Sequence, residues 1–467
     1  MRFVMKRTII VLSIIAIGTL CTWLLNRHSD EIRADIGIVD PPVWLEPDSA
    51  DAIARRTAAD FNMTLDEARA KIRERHPEVS DADIAEFVAA GWLEVMDFDG
   101  ETRVFRKAVR NLDLLNPAYN GGVTDRGYEG SPRRLSYVDS VLGYCRGSNP
   151  KGLAHKVRYR FTIDVPYDKA LEGDSIRVWM PLPLEGDACD RQENVTIFSA
   201  EPADYVLSGD RSVHNTVSMI LPAPAEGDTA HFEYVGEYVT KGKFVSGKEI
   251  EAALKPYDKS GDLYRRYTVF EAPHIVRLDS LAHAIVGDET NPYRQSELVA
   301  DYIMRFPWAG AREYSTIDCI PAYVLREGHG DCGQVSLLYI SLMRSLGVPA
   351  RWESGWMLHP GEKNYHDWAE VYYEGIGWVP VDVSFGRFSN TDDPDVATFY
   401  SHGIDAHRFS TNKGVCGELY PPKKFVRSET VDFQAGEVEC SRGNLFYPGW
   451  NSNFTLISVE PIEISSK

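Results

Sequence analysis

The chain is poor in positive charge. Its 50 Lys and Arg residues face 69 Asp and Glu, a formal net charge of −19 at pH 7. That deficit argues against a nucleic-acid partner, because phosphate binding needs a basic face, and it offers no polybasic support for binding anionic lipid. C-x-x-C, H-E-x-x-H and calcium-loop spacings are also missing, so no structural or catalytic metal is expected and no cofactor is called for. There is no internal repeat. Cysteine numbers seven. With Cys21 in an apolar segment and Cys332 set aside for the argument below, Cys145, Cys189, Cys319, Cys416 and Cys440 remain. Export would permit disulfides, and Cys416 with Cys440 is the first pair to test, although spacing does not fix connectivity. The rest of the composition, 43% hydrophobic and 25% charged, is ordinary for a globular protein. The length suits about two to four domains.

At the N-terminus, Arg2, Lys6 and Arg7 precede an apolar stretch from Thr8 to Leu25, and Asp30, Glu31 and Asp35 follow it. This asymmetry places the remainder outside the cytoplasm. The stretch is short for a spanning helix and long for a signal-peptide core. No small-x-small cleavage site follows, and Leu20 makes a poor lipoprotein site before Cys21. Residues 1–28 are therefore expected to be an uncleaved signal anchor on the periplasmic side, with a cleaved signal peptide or a lipid-modified Cys21 as alternatives.

Chemistry concentrates around Cys332, in the run Gly330-Asp331-Cys332-Gly333-Gln334. Val335, Leu337, Leu338, Ile340, Leu342, Met343 and Leu346 follow, which predicts a largely buried helix stopped by Gly347 and Pro349. A cysteine at a helix start meets unpaired N–H groups and the positive end of the dipole, and both favour thiolate. Taken alone, Cys332 is most simply a small buried apolar residue. His366 and Asp382 downstream change that balance.

His366 to Tyr373 alternates like a strand, and Trp378 to Val383 returns after a Gly-containing turn. A three-residue loop from Tyr373 to Gly375, with glycine in the left-handed position, is a common closure. It sets His366 directly opposite Asp382, with β-carbons roughly 5 Å apart. A two-residue turn would throw the side chains onto opposite faces. Pro380 has no N–H to give, so its strand is expected at an edge or a bulge. The expected roles are Cys332 as nucleophile, His366 as base and Asp382 as orienter of the imidazole. The Cys332 amide would supply one oxyanion donor. Tyr314 and Trp308 are candidates for the second, against a plain core-packing role. His329 is a competing base, but so close in sequence it seldom reaches the sulfur correctly.

These residues resemble the transglutaminase-like superfamily, whose core shares its catalytic plan with papain-type thiol proteases. The resemblance rests on G-D-C-G-Q-V-S-L-L-Y-I-S-L-M-R-S-L-G-V-P-A-R from Gly330, H-D-W-A-E-V-Y from His366, and G-W-V-P-V-D-V-S-F-G from Gly377. It covers about residues 273 to 390. It implies an α+β, papain-like core with the Cys-bearing helix packed on an antiparallel sheet. It also implies Cys-His-Asp chemistry on amide bonds: protease, deamidase, glycopeptide amidase or cross-linking transferase.

Around that core, residues 49–116 read as a helical accessory domain with a hairpin across Asp99-Gly100. Capping boxes are expected at Thr64 and Ser80. A winged helix that reads DNA is disfavoured by charge and export. Residues 117–152 read mainly as linker with room for one short helix, 153–242 as an antiparallel β-sandwich, 249–390 as the catalytic core and 391–467 as a C-terminal β-rich extension. Trp356, Trp368 and Trp378 are most economically core residues. The expected function is an exported thiol hydrolase acting on peptides or glycopeptides, with a peptide or protein substrate as its partner. The alternatives are a glutamine cross-linking acyltransferase and a non-catalytic binding module on the same fold. Nothing in the sequence sets an oligomeric state.

Overall fold

A computed structural model describes residues 47–98, 100–119, 132–389, 391–447 and 449–464. The apolar stretch 8–25 and Cys21 lie outside the described residues. Among the described residues, no helix is long and apolar enough to cross a membrane.

The first unit is helical, with helices Pro47–Asp60, Leu65–Arg75, Asp81–Ala89 and Ala108–Leu115. Thr64 and Ser80 start two of these by reciprocal capping. Each hydroxyl takes the N3 amide, and the N3 carboxylate takes the cap's own N–H. Gly100, with φ +80°, turns the hairpin of Val95–Phe98 and Glu101–Val104. Phe61, Ile72, Phe87, Leu93, Phe105 and Leu112 form the shared core of this unit.

Two antiparallel sheets then face each other. In one, Ala154–Pro166 lies between Thr229–Lys241 and Asn451–Ile462. In the other, Ser175–Pro181 lies between Thr216–Pro222 and Glu437–Cys440. Inward alternation along these strands buries Tyr159, Phe161, Ile163, Val178, Met180 and Phe454. The C-terminal stretch is therefore not a layer of its own. Its strands 437–440 and 451–462 cover sheet edges that the 153–242 strands alone would leave open.

The third sheet has the order Gly377–Val381, Asn364–Tyr373, Ala350–Met357, Arg408–Asn412, all antiparallel. The helix Cys332–Ser345 packs on it, and every residue from Gly333 to Arg344 is buried. Helices Asp279–Val286, Pro292–Ile303 and Ile320–Glu327 surround that helix on its other sides. A helix enclosed all round has no polar stripe. Gly347, with φ +74°, ends it as expected. The strand containing Pro380 is at the sheet edge, where its missing donor leaves no rung empty.

Two expectations need correction. Residues 132–145 form a helix of 14 residues, Pro132–Cys145, where one short helix within a linker was expected. Val138, Val141 and Leu142 pack there on Met357, Phe385 and Phe399, a tertiary contact that local composition does not reveal. Cys416 and Cys440 do not pair, and all six described cysteines are free thiols. Cys440 is held in the sandwich opposite Ile176, while Cys416 hydrogen-bonds through its amide to Val431 O.

Candidate active site

Cys332 is the first residue of its helix. Asp331 caps the helix by accepting from Gln334 N at 3.1 Å, and Gln334 Oε1 accepts from Asp331 N at 3.1 Å. This capping box fixes the turn that carries the sulfur. It also spends part of the helix-start potential on a carboxylate before the cysteine can use it. The thiol donates to Asp367 Oδ2 at 3.5 Å rather than to His366. Burial pushes the Cys332 thiol well above its usual range, and the carboxyls of Asp367 and Asp331 push in the same direction. Burial and these two acids run against the lowered thiol pKa expected of a helix start, and sequence pattern shows neither.

The hairpin register also differs from expectation. Tyr373 pairs with Gly377, so the loop is Glu374-Gly375-Ile376, two positions out of step with the expected register. Gly375 and Gly377 take φ +93° and +102°, a conformation that costs a side-chain-bearing residue energy. An offset of two preserves the face, since strand side chains alternate with period two. His366 and Asp382 therefore meet diagonally rather than directly, and His366 Nε2 lies 2.7 Å from Asp382 Oδ2.

Asp382 is fully buried. Its Oδ1 accepts from Ser384 Oγ at 2.7 Å, and its Oδ2 also accepts from Arg408 Nη1 at 3.1 Å. Arg408 is held in turn by Asp405 at 2.9 Å. Burial opposes the carboxylate charge, but His366, Arg408 and Ser384 outweigh it and hold Asp382 at about 2. The same burial lowers the His366 pKa, partly offset by Asp382. With Nε2 engaged by a carboxylate, Nδ1 is the basic nitrogen of the ring. Phe385 stacks on the imidazole at 4.7 Å, and Arg134 lies 4.3 Å over the other partner in that stack, Phe385.

Cys332 and His366 line one cavity of about 600 Å³. Tyr314 and Trp308 line it too. The Tyr314 hydroxyl donates to Asp331 Oδ1, so its proton is already committed. Trp308 forms a backbone bridge to Gly330, two residues before the cysteine. His329 is buried against Tyr323 and is absent from the cavity wall. Asp367, Ser384, Arg408 and Gln434, whose Nε2 donates to Asp367 Oδ1 at 2.7 Å, were not singled out from sequence. The adjacency of Asp367 to His366, and of Ser384 to Asp382, was the only available signal. Arg408 and Gln434 reach the site only through the fold. Among the described residues no group of His, Cys, Asp and Glu side chains could hold a metal ion.

Residues 279–383 match the transglutaminase-like superfamily, and this segment is a transglutaminase-like core. An uncharacterized protein of Haemophilus influenzae is 24% identical over 339 residues, covering 63% of this chain and 89% of its own. The uncharacterized protein YebA of Bacillus subtilis is 27% identical over 143 residues, 26% of this chain and 19% of YebA. Among solved structures, a Cytophaga hutchinsonii protein described as a candidate cysteine protease aligns with TM-score 0.41 and 15% identity, over 65% of this chain and 97% of its own. The periplasmic domain of TgpA from Pseudomonas aeruginosa aligns with TM-score 0.24 and 14% identity, over 55% and 92% respectively.

Proposed function

We propose that the protein is an exported thiol hydrolase that cleaves amide bonds in peptides or glycopeptides through Cys332, His366 and Asp382. The observation that carries this reading is the 2.7 Å contact between His366 Nε2 and a buried, charged Asp382, on a histidine that shares its cavity with Cys332. A carboxylate on Nε2 turns Nδ1 into the proton acceptor. Cys332 would attack the carbonyl carbon as its proton passes to Nδ1. The imidazolium would then protonate the leaving amine, and water would resolve the thioester by the reverse proton path. The oxyanion would rest on the Cys332 amide at the helix start and on the Trp308 indole N–H, which has no protein acceptor among the described residues. The N-terminal residues 8–25 would hold the enzyme on the periplasmic side as an uncleaved anchor, and residues 49–116 would be an accessory module.

A fluorogenic peptide library tests the hydrolase reading. New peptide termini in the wild type, absent in Cys332→Ala and His366→Ala, are expected. Release of ammonia with amine incorporation in place of new termini would move the assignment to a cross-linking acyltransferase. Failure of a thiol-directed probe to label Cys332 would move it to a non-catalytic binding module.

A further inference from the structure

The helical N-terminal unit reaches the cavity beside Cys332. Arg106, Lys107 and Arg110 all line it. The unit is pinned close by: Asn111 exchanges two hydrogen bonds of 2.9 Å with the backbone of Gly310, and Lys107 Nζ donates to Ala311 O at 3.1 Å. Those residues lie just after Trp308 and just before Tyr314 in the loop that approaches the cysteine.

The three cations are not equivalent. Arg106 is bound to Asp60 at 2.7 Å, and Lys107 is spent on the carbonyl just named. Arg110 is exposed and has no hydrogen bond, ion pair or ring contact with any described residue. A solvated surface arginine would look the same by itself. The difference here is a firmly docked helix that aims the side chain at the cavity holding the thiol, in a chain with a net charge of −19.

Acids share the cavity, notably Asp331, Asp367 and Asp432, and at full charge they would repel an anion. Two of them do not carry full charge. Burial raises Asp367 well above the carboxylate range, with Asp432 and Asp331 adding to it, and burial with Glu313 raises Asp432 to about 7. The acidic side therefore leaves room for a carboxylate near Arg110.

We propose that Arg110 forms an anion subsite in the cleft, and that the acyl donor carries a free carboxylate close to the scissile amide. The substrate half of this statement rests on the hydrolase reading; the subsite half does not. An acidic side chain and a peptide C-terminus offer the same group, and the guanidinium fork binds either in the same way.

The test uses two alkylating agents of matched shape and different charge, iodoacetate and iodoacetamide. Their rates at Cys332 are followed by mass spectrometry of the full chain, and the rate ratio cancels changes in thiol reactivity. Arg110→Ala should lower the iodoacetate-to-iodoacetamide ratio about fivefold, the size expected of one partly exposed ion pair. Arg110→Lys should restore at least half of that loss. An unchanged ratio in Arg110→Ala, or no restoration by lysine, overturns the subsite.

Peptide pairs then identify the carboxylate: Glu against Gln beside the scissile bond, and free acid against C-terminal amide. One acid form should show a KM about fivefold lower than its amide, a gap that closes in Arg110→Ala. If the ratio responds but no peptide is cleaved, the hydrolase reading fails and the subsite stands. If peptides are cleaved with no acid preference, the carboxylate donor is wrong and the hydrolase reading stands.

Discussion

Asp382→Asn removes one charge and almost no volume, which makes it the sharpest probe of how the histidine is held. The wild-type carboxylate is filled: His366 at 2.7 Å and Arg408 at 3.1 Å on Oδ2, Ser384 at 2.7 Å on Oδ1. An asparagine offers one acceptor where three donors converge. If its oxygen keeps His366 and Arg408, its NH₂ must face Ser384, which can rotate to accept. If it turns the other way, NH₂ meets Nε2, the ring proton moves to Nδ1, and the ring's basic lone pair is spent on the amide. A hydrogen bond to a charged group is worth about 1.5–3 kcal/mol, so the loss in stability should fall in that range, with Arg408 still retained by Asp405. The catalytic loss should be larger, about 10³- to 10⁴-fold in kcat, because the orienter acts mainly on the transition state. KM should change by less than about threefold. Thermal melts from pH 7 down to 2 add an independent check. A carboxyl held at about 2 instead of 3.8 contributes stability that is fully present above pH 4 and lost as pH falls toward 2. The gap between wild type and variant should narrow across that window. A variant with kcat within tenfold of wild type, or one whose loss lies entirely in KM, refutes the orienting role.

Other outcomes follow from single contacts. In Gly333→Ala the new β-carbon would overlap the Tyr314 hydroxyl and sit 2.6 Å from Asp367 Oδ2. Overpacking of this kind costs about 1–3 kcal/mol, and alkylation of Cys332 should slow as well; a variant as stable and reactive as wild type would contradict the contact. Gly355 lies opposite His366, and a side chain there would run into the Phe409 carbonyl, so Gly355→Ala should abolish soluble expression or lower Tm by more than about 8 °C, as read by differential scanning fluorimetry. Burial raises Glu94 to about 7, against Arg312 at 3.4 Å. A raised carboxyl holds its proton in the folded state, so its contribution falls as pH climbs from about 4.5 through 7, and Glu94→Gln should flatten the decline in Tm over that window. Asp367→Asn should lower the apparent pKa of the Cys332 thiol, read from the pH dependence of iodoacetamide alkylation; a rise would show that the acid does not oppose the thiolate.

Much of this could be read from residue patterns, and the misses share a cause. The cysteine helix, its Gly347 stop, the capping boxes at Thr64 and Ser80 and the edge position of Pro380 are local signals, and the structure bears them out. The hairpin was misregistered by two residues, yet the His366–Asp382 contact survived because two is the period of the strand. A slip of one would have destroyed it. Residues 132–145 look like linker because their helix is stabilised by contacts with Met357, Phe385 and Phe399, more than 200 positions away. Arg408 and Gln434 were invisible for the same reason. They reach Asp382 and Asp367 only after the C-terminal strands have joined sheets begun much earlier in the chain.

Negative charge around the sulfur behaves as one system, and a list of neighbours misses this. The helix start favours thiolate, while Asp367, 3.5 Å from Sγ, opposes it as long as it is charged. Burial and the neighbouring Asp432 and Asp331 keep Asp367 protonated well above the ordinary carboxylate range. A neutral carboxyl donates a hydrogen bond and no longer repels, so it can stabilise the same thiolate that its ionised form excludes. The pair therefore tolerates one negative charge more readily than two. His366 enters this balance as the proton acceptor; burial lowers its own pKa, Asp382 partly offsets that, and a thiolate adds a second counter-charge to the imidazolium. The thiolate–imidazolium pair is then most accessible while Asp367 still holds its proton. Raising the pH past that point places a second negative charge beside the first, so reactivity should level off where an isolated thiol would keep gaining.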